Sequence, residues 1–348
     1  MPVMTTARTT SAAGALAALA LSFFAIASFA FAVDSARAGS PSSGCVGSYG
    51  WPVRPLDRAH PIRGSFGDPR TVFKGVRSER ALLEGEGGFS FHQGLDISAP
   101  DGSPVYAVAS GTVVRARGGR VTVDCRNGRS FQYWHIDPVA RVGQHAVAGQ
   151  TLLGFIQRKR EHVHLTHLEK DRAVNPIAPG RLTPYRDATP PDVLDIAISS
   201  DGLGREPVEQ EVSGRVHLVA EAIDMPALAV PGRWRGFPVT PATVTWRVEA
   251  PDGRVVVSQR IARDVRTAVP KNDRFWDTFA RGTHQNWPVF DRQKQRGMIG
   301  RYLFKLSARP FDTRTLRDGH YVLIVNAADT AGNRDERSLR FLVLNSTA

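Results

Sequence analysis

The chain has 348 residues, 42% apolar and 22% charged, with 45 Lys plus Arg against 33 Asp plus Glu for a formal net charge of +12. These proportions exclude wholesale disorder, a collagen-like repeat and a multi-span membrane protein, and the length suits about two domains. With only two cysteines, a disulfide scaffold and a Cys-cluster zinc protein are excluded, so a metal site has to be built from His and carboxylates.

Ala12 to Val33 is an uncharged run of 22 residues rich in Leu and Phe, preceded by Arg8 and followed by the small-x-small sites Ala30-Phe31-Ala32 and Ala36-Arg37-Ala38. The pattern predicts a secretory signal peptide over residues 1–38, although the run is long enough to span a bilayer as an uncleaved anchor. Export would carry the protein to the periplasm, cell wall or extracellular space, with no stable membrane insertion once the signal is removed. In an oxidising compartment Cys45 and Cys125 can pair, the alternative being two free thiols. The disulfide would close a loop of about 80 residues, worth about 4 kcal/mol of chain entropy. No nucleic-acid motif or basic stripe with interleaved aromatics accompanies the positive balance. It points instead to anionic envelope polymers as partners.

Residues 39–50, rich in Gly, Ser and Pro, read as a linker. From Trp51 to about residue 180 short β-type segments follow, among them Ser103–Val108, Gly111–Arg115, Arg120–Asp124 and Ser130–His135. Turn signals separate them at Pro100-Asp101-Gly102, Arg117-Gly118-Gly119 and Arg126-Asn127-Gly128, which predicts an antiparallel all-β unit. Residues 181–204 form a Pro-rich connector. A second β-rich set runs over 205–348, where Val244, Trp246 and Val248, then Tyr302, Phe304 and Leu306, then Leu339, Phe341 and Val343 alternate with their neighbours. That spacing predicts a small β-sandwich. Its last hairpin, from Asp318-Gly319-His320-Tyr321 to Asp329-Thr330-Ala331-Gly332-Asn333, resembles those of bacterial immunoglobulin-like or fibronectin-like modules. An aromatic-rich insertion near 271–300, with Phe275, Trp276, Phe279, Trp287 and Phe290, reads as an apolar flap over a sandwich edge.

Four of the ten histidines fall in informative places. His92 and Asp96 form His-x-x-x-Asp, His135 ends a strand-like run, and His162 and His164 form His-x-His. Positions two or four apart on an extended chain share a face, so each pair would project together. Gly94 and Pro100 favour an extended path over a helix. Zinc suits such donors: catalytic sites take three His or carboxylate ligands and keep one position open, where the metal can activate water and polarise a carbonyl. Asp101 and Asp137 read as turn residues, Tyr106 and Trp134 as core. His60, His145, His217, His284, His320 and His167 read as structural or exposed, His167 because its odd offset from His164 turns it to the opposite face.

The stretch from Pro61-Ile62-Arg63-Gly64-Ser65-Phe66-Gly67 through His92-Gln93-Gly94-Leu95-Asp96, Ala99 to Ala107, Gly111-Thr112-Val113, Tyr133-Trp134-His135 and Val147-Ala148-Gly149-Gln150 to His162-Val163-His164 resembles the lysostaphin/LytM-type zinc peptidoglycan endopeptidases. The resemblance implies a compact antiparallel β-sheet metallopeptidase core at 51–180, with the site in a groove on one face. It implies one Zn2+ per chain held by His92, Asp96 and His164, with His135 and His162 as catalytic histidines. The implied function is a secreted zinc metalloendopeptidase acting on peptidoglycan stem peptides or cross-bridges. Two departures stand out: Gln157 to Glu161 replaces the small residues usual before His-x-His, and Leu165 to Glu169 replaces the usual His-Phe-Glu continuation. Rival readings are a non-catalytic peptidoglycan-binding or hydrolase-activating protein on the same core, and a secreted metalloprotease acting on proteins.

Overall fold

A computed structural model of the protein describes residues 47–72, 88–199, 211–291 and 296–347. The expected signal peptide and Cys45 lie outside the described residues, while Cys125 is buried. Among the described residues no helix is long and apolar enough to cross a membrane.

The fold is all-β. Its largest sheet runs in the order Ile62–Gly64, Leu95–Ser98, His162–Glu169, Arg129–Trp134, Arg120–Asp124, Gly111–Arg117 and His145–Ala146, with Arg172–Val174 paired to the end of His162–Glu169. All of its pairings are antiparallel. The Gly111–Arg117 and Arg120–Asp124 strands meet through Gly118 and Gly119 at φ +61° and +69°, a two-residue turn in which both central residues need positive φ. Pleating then sorts the side chains. Leu95, Ile97, Val121, Val123, Phe131, Tyr133, Val163 and Leu165 are all at most 1% exposed and make the core face. Asp96, Gln132, Trp134, His162, His164 and Thr166 alternate with them and look the other way. A three-stranded sheet, Pro104–Tyr106, Leu152–Ile156 and Ile136–Pro138, packs alongside.

Among the described residues the C-terminal half has two larger sheets, besides the strand pair Trp287–Asp291 and Arg296–Met298. One is Asp192–Ser199, Arg215–Ile223 and Leu303–Lys305, with Phe311–Asp312 paired to Arg215–Ile223. The other is Glu211–Val212, Arg334–Val343, Gly319–Ala328, Thr243–Glu249 and Val255–Asp264, antiparallel except where Glu211–Val212 runs parallel to Arg334–Val343. Val244, Trp246 and Val248 are buried as their alternation requires, and so are Tyr302, Phe304 and Leu306. The aromatic insertion does more than cover an edge. Phe275 and Phe279 are buried with ring centroids 5.4 and 5.8 Å from Phe91, the residue before His92, and Phe279 also meets Phe304 at 5.3 Å.

Charged groups tie the same two regions together. Arg263, 2% exposed, donates to the carbonyls of Pro241 and Gly67 and to Thr240 Oγ1. Asp68 Oδ1 accepts from the N–H and hydroxyl of Thr240, and its Oδ2 accepts from the Ser65 N–H. Removing a hydrogen-bond partner from such a buried charged group leaves it unsatisfied, at a typical cost of about 1–3 kcal/mol or more.

Asp187, Asp224 and Asp329 bring carboxylate oxygens within 4.8 Å of one another. Burial, with the charges of Asp187 and Asp329 adding to it, pushes the Asp224 carboxyl up from 3.8 to about 8. The native state therefore binds this proton more tightly than the unfolded chain. Its contribution to stability is fully present below about pH 4 and is lost as the pH rises through about 8. In thermal unfolding, Asp224→Asn, which cannot ionise, should gain on the wild type as the pH is raised across that window. Parallel pH profiles for the two proteins would contradict the assignment.

Candidate functional site

The register of two strands builds the site. Leu95–Ser98 and His162–Glu169 are antiparallel with His164 directly opposite Asp96, so the two side chains rise from the same face. His92 enters from the loop after Gly88–Phe91. Its backbone N–H donates to the Asp68 carbonyl at 2.8 Å. Gly94 lets that loop cross the neighbouring strand, since a Cβ there would stand 2.4 Å from the Leu165 carbonyl oxygen and 2.8 Å from His164 Nε2.

Three donor atoms converge. His92 Nε2 lies 2.8 Å from His164 Nδ1 and 3.1 Å from Asp96 Oδ1, and His164 Nδ1 lies 3.0 Å from Asp96 Oδ1. Donors bound to a tetrahedral zinc at about 2.0–2.1 Å stand about 3.3 Å apart, a little more than these separations. The surrounding hydrogen bonds suit that use. His92 Nδ1 lies 2.8 Å from the Ser65 carbonyl; a carbonyl only accepts, so the ring proton sits on Nδ1 and Nε2 keeps its lone pair. His164 Nε2 lies 2.8 Å from Thr166 Oγ1, and donation to that hydroxyl leaves Nδ1 bare. Arg70 Nη2 donates to Asp96 Oδ2 at 2.7 Å, turning Oδ1 toward the imidazoles. Such outer contacts orient ligands and tune their basicity.

The other two histidines stand beside the cluster. His162 Nε2 is 3.5 Å from Asp96 Oδ1. The His135 ring centroid is 4.6 Å from that of His162 and 6.3 Å from that of His164. His135 has φ +65°, a left-handed conformation that costs a non-glycine residue about 1–2 kcal/mol; it ends the Arg129–Trp134 strand and re-aims the next side chain. The groove passes His92, Asp96, His164 and His135 between Trp134 and Asn272. Trp134 thus corrects the sequence expectation: it is half-buried on the groove side under Arg120, while its neighbour Tyr133 is the core residue. His167 faces the opposite side, stacked on Phe131 at 4.4 Å.

Electrostatics keep His92, His135 and His162 neutral. Burial lowers His92 to about 4, His135 to about 4 and His162 to about 3, with Arg70 adding to the shift at His92 and Arg63 at His162. Burial alone would raise the Asp96 carboxyl, but His92, Arg70 and His162 outweigh it and hold Asp96 well below the usual range. An ionised Asp96 beside a neutral His92 suits a divalent zinc, whose ligands bind in their deprotonated forms.

Sequence reasoning missed Arg70, Thr166 and the Ser65 carbonyl. Thr166 continues the alternation of His162 and His164 and was findable by parity; the other two carry no periodic mark. Asp101 has the structural role expected of it. Its carboxylate accepts the N–H groups of Lys159, Arg160 and Glu161 and shapes the charged loop before His162.

Residues 90–176, which contain all five site residues, match the model described as Peptidase family M23. Solved structures similar to part of the chain include a zinc-containing peptidase from Vibrio cholerae, 22% identical over 37% of this chain and 39% of that one, TM-score 0.29. Another is the catalytic domain of the prophage-encoded M23 protein EnpA from Enterococcus faecalis, 26% identical over 26% of this chain and 80% of that one, TM-score 0.23. A third is Csd3 from Helicobacter pylori, 21% identical over 38% of this chain and 34% of that one, TM-score 0.27. The chain thus spans well under half of the Vibrio and Helicobacter structures. A comparison with curated proteins returns no match.

Thr166→Val removes the acceptor of His164 while leaving all three donors. Zinc affinity, measured by competition with a chromophoric chelator, should fall about 10–100-fold. An unchanged affinity would show that Thr166 does not orient the ligand.

Proposed function

We propose that the protein is an exported zinc-dependent endopeptidase that hydrolyses peptide bonds in bacterial peptidoglycan. The convergence of His92 Nε2, Asp96 Oδ1 and His164 Nδ1 within 2.8–3.1 Å of one another, in an open groove with His135 and beside the buried His162, carries the reading. These three residues would hold one zinc per chain. When bound, the metal supplies a Lewis acid that polarises the scissile carbonyl and acidifies water.

The chain's own residues do the rest. Ser65, Thr166 and Arg70 fix the three donors, so little reorganisation accompanies binding. His135 and His162, held neutral by burial, exchange protons and hydrogen bonds with the reacting groups. The groove takes a stem peptide or cross-bridge, and the net charge of +12 favours residence on anionic envelope polymers. Residues 51–180 form the peptidase unit, and the Pro-rich connector expected at 181–204 shortens to about 181–191, because Asp192–Ser199 is a strand paired with Arg215–Ile223. Residues 205–348 form an immunoglobulin-like β-sandwich that braces the peptidase and positions it on the envelope, and after export Cys45 and Cys125 can pair.

Purified peptidoglycan digested with the zinc-loaded chain should release peptide fragments identifiable by mass. A chelator should stop release and added zinc restore it. His135→Asn, a residue that tolerates the left-handed backbone, should slow release at least about 100-fold. Undiminished release in chelator would reject the metal mechanism. Cleavage of proteins with peptidoglycan left intact would move the substrate assignment to the protease alternative.

A further inference from the structure

Two groups compete for one nitrogen of His162. Its Nδ1 lies 2.6 Å from Arg63 Nη2 and 2.6 Å from the Arg160 carbonyl oxygen. A guanidinium can only donate and a carbonyl can only accept, so the two contacts demand opposite placements of the ring proton. Bonding to Arg63 requires a bare Nδ1 and puts the proton on Nε2. Bonding to Arg160 requires Nδ1–H and leaves Nε2 bare.

Arg63 is held against the ring from the far end of the chain. It lies on the strand Ile62–Gly64, and its Cζ sits 4.2 Å over the Trp234 ring. Trp234 belongs to the short turn Gly232–Trp234 of the C-terminal half. The neighbouring Arg233 donates from Nε and Nη2 to Glu161 Oε2, pinning the turn beside the residue that precedes His162. Among the described residues, buried Nε and Nη1 of Arg63 reach no acceptor, and His162 is the hydrogen-bond partner of its side chain. The indole face shields that contact from water and favours the cation beneath it. The Arg160 carbonyl, by contrast, belongs to a backbone whose position the Asp101 carboxylate already holds, so it needs nothing from His162 to keep the loop in place.

We infer that Arg63, clamped by Trp234, is a positioning residue that fixes His162 as its Nε2–H tautomer, making it the hydrogen-bond donor of the site and leaving His135 as the proton acceptor. Nε2 of His162 is the nitrogen facing the donor cluster, 3.5 Å from Asp96 Oδ1. A proton there can stabilise the oxygen that gains charge as a carbonyl is attacked. The C-terminal half thereby sets the division of labour between the two histidines. This assignment rests on the peptidase reading for its kinetic consequence, not for the tautomer itself.

The test is nuclear magnetic resonance of the full zinc-loaded chain with isotope-labelled histidine nitrogens, the His162 signals being identified by their loss in His162→Gln. In the wild type, in Arg63→Lys and in Trp234→Phe, the proton should be on Nε2. In Arg63→Ala it should move to Nδ1 and bond the Arg160 carbonyl, and Trp234→Ala should shift toward that pattern. In parallel, Arg63→Ala should lower kcat about tenfold or more with KM within about twofold and zinc content unchanged, and Arg63→Lys should recover most of the loss. A wild-type Nδ1–H, or a tautomer indifferent to Arg63→Ala, would overturn the inference. Should the wild type cleave no peptidoglycan, the proposed function falls while the spectra still decide the tautomer.

Discussion

The antiparallel register that places His164 opposite Asp96 is the contact on which the site depends. Side-chain direction in a strand reverses at every residue, so a slip of one position would carry Asp96, His162 and His164 into the core and drive Leu95, Ile97, Val163 and Leu165 into the groove. All four of those apolar residues are fully buried. The hydrophobic effect that holds the sheet in register is therefore the same force that aims the metal donors, and the site needs no separate scaffold.

Much of this was legible in the sequence because it follows from parity. His-x-His fixes two rings on one face, and the alternation Val121, Val123 and Val163, Leu165 marks the core face. The Gly118-Gly119 turn announces its hairpin. Parity does not say which strands become neighbours, so the meeting of Asp96 with His164 came from the family resemblance. Contacts that join distant segments were illegible for the same reason. Asp68 with Thr240 and Arg263 with Gly67 are 172 and 196 positions apart, and a polar residue bonded at such range leaves no spacing signature. Trp134 was misplaced because an aromatic on a strand next to Tyr133 reads as core, whereas only one of two successive residues can point inward.

The altered flank of His-x-His acquires a physical meaning in the structure. Where small residues would lie against the groove, Gln157 to Glu161 forms a loop with Lys159 and Glu161 at φ +67° and +53°. Asp101 offsets that backbone cost by accepting three of its N–H groups. Glu161 in turn is the handle by which Arg233 draws the C-terminal turn against His162. A loop that reads in sequence as a solvated run of charges is a seam between the two halves of the molecule at the edge of the histidine cluster.

Arg263 and Asp68 have a consequence for how the protein can be divided. A fragment ending near residue 180 would keep every donor atom of the metal cluster yet lose Thr240, Arg263, Phe275 and Phe279. The Asp68 carboxylate would give up two of its three hydrogen bonds, the Gly67 carbonyl its guanidinium partner, and Phe91 its aromatic packing. All three belong to the loops that seat His92. The boundary suggested by sequence likeness therefore cuts through contacts that hold the surroundings of His92 in place.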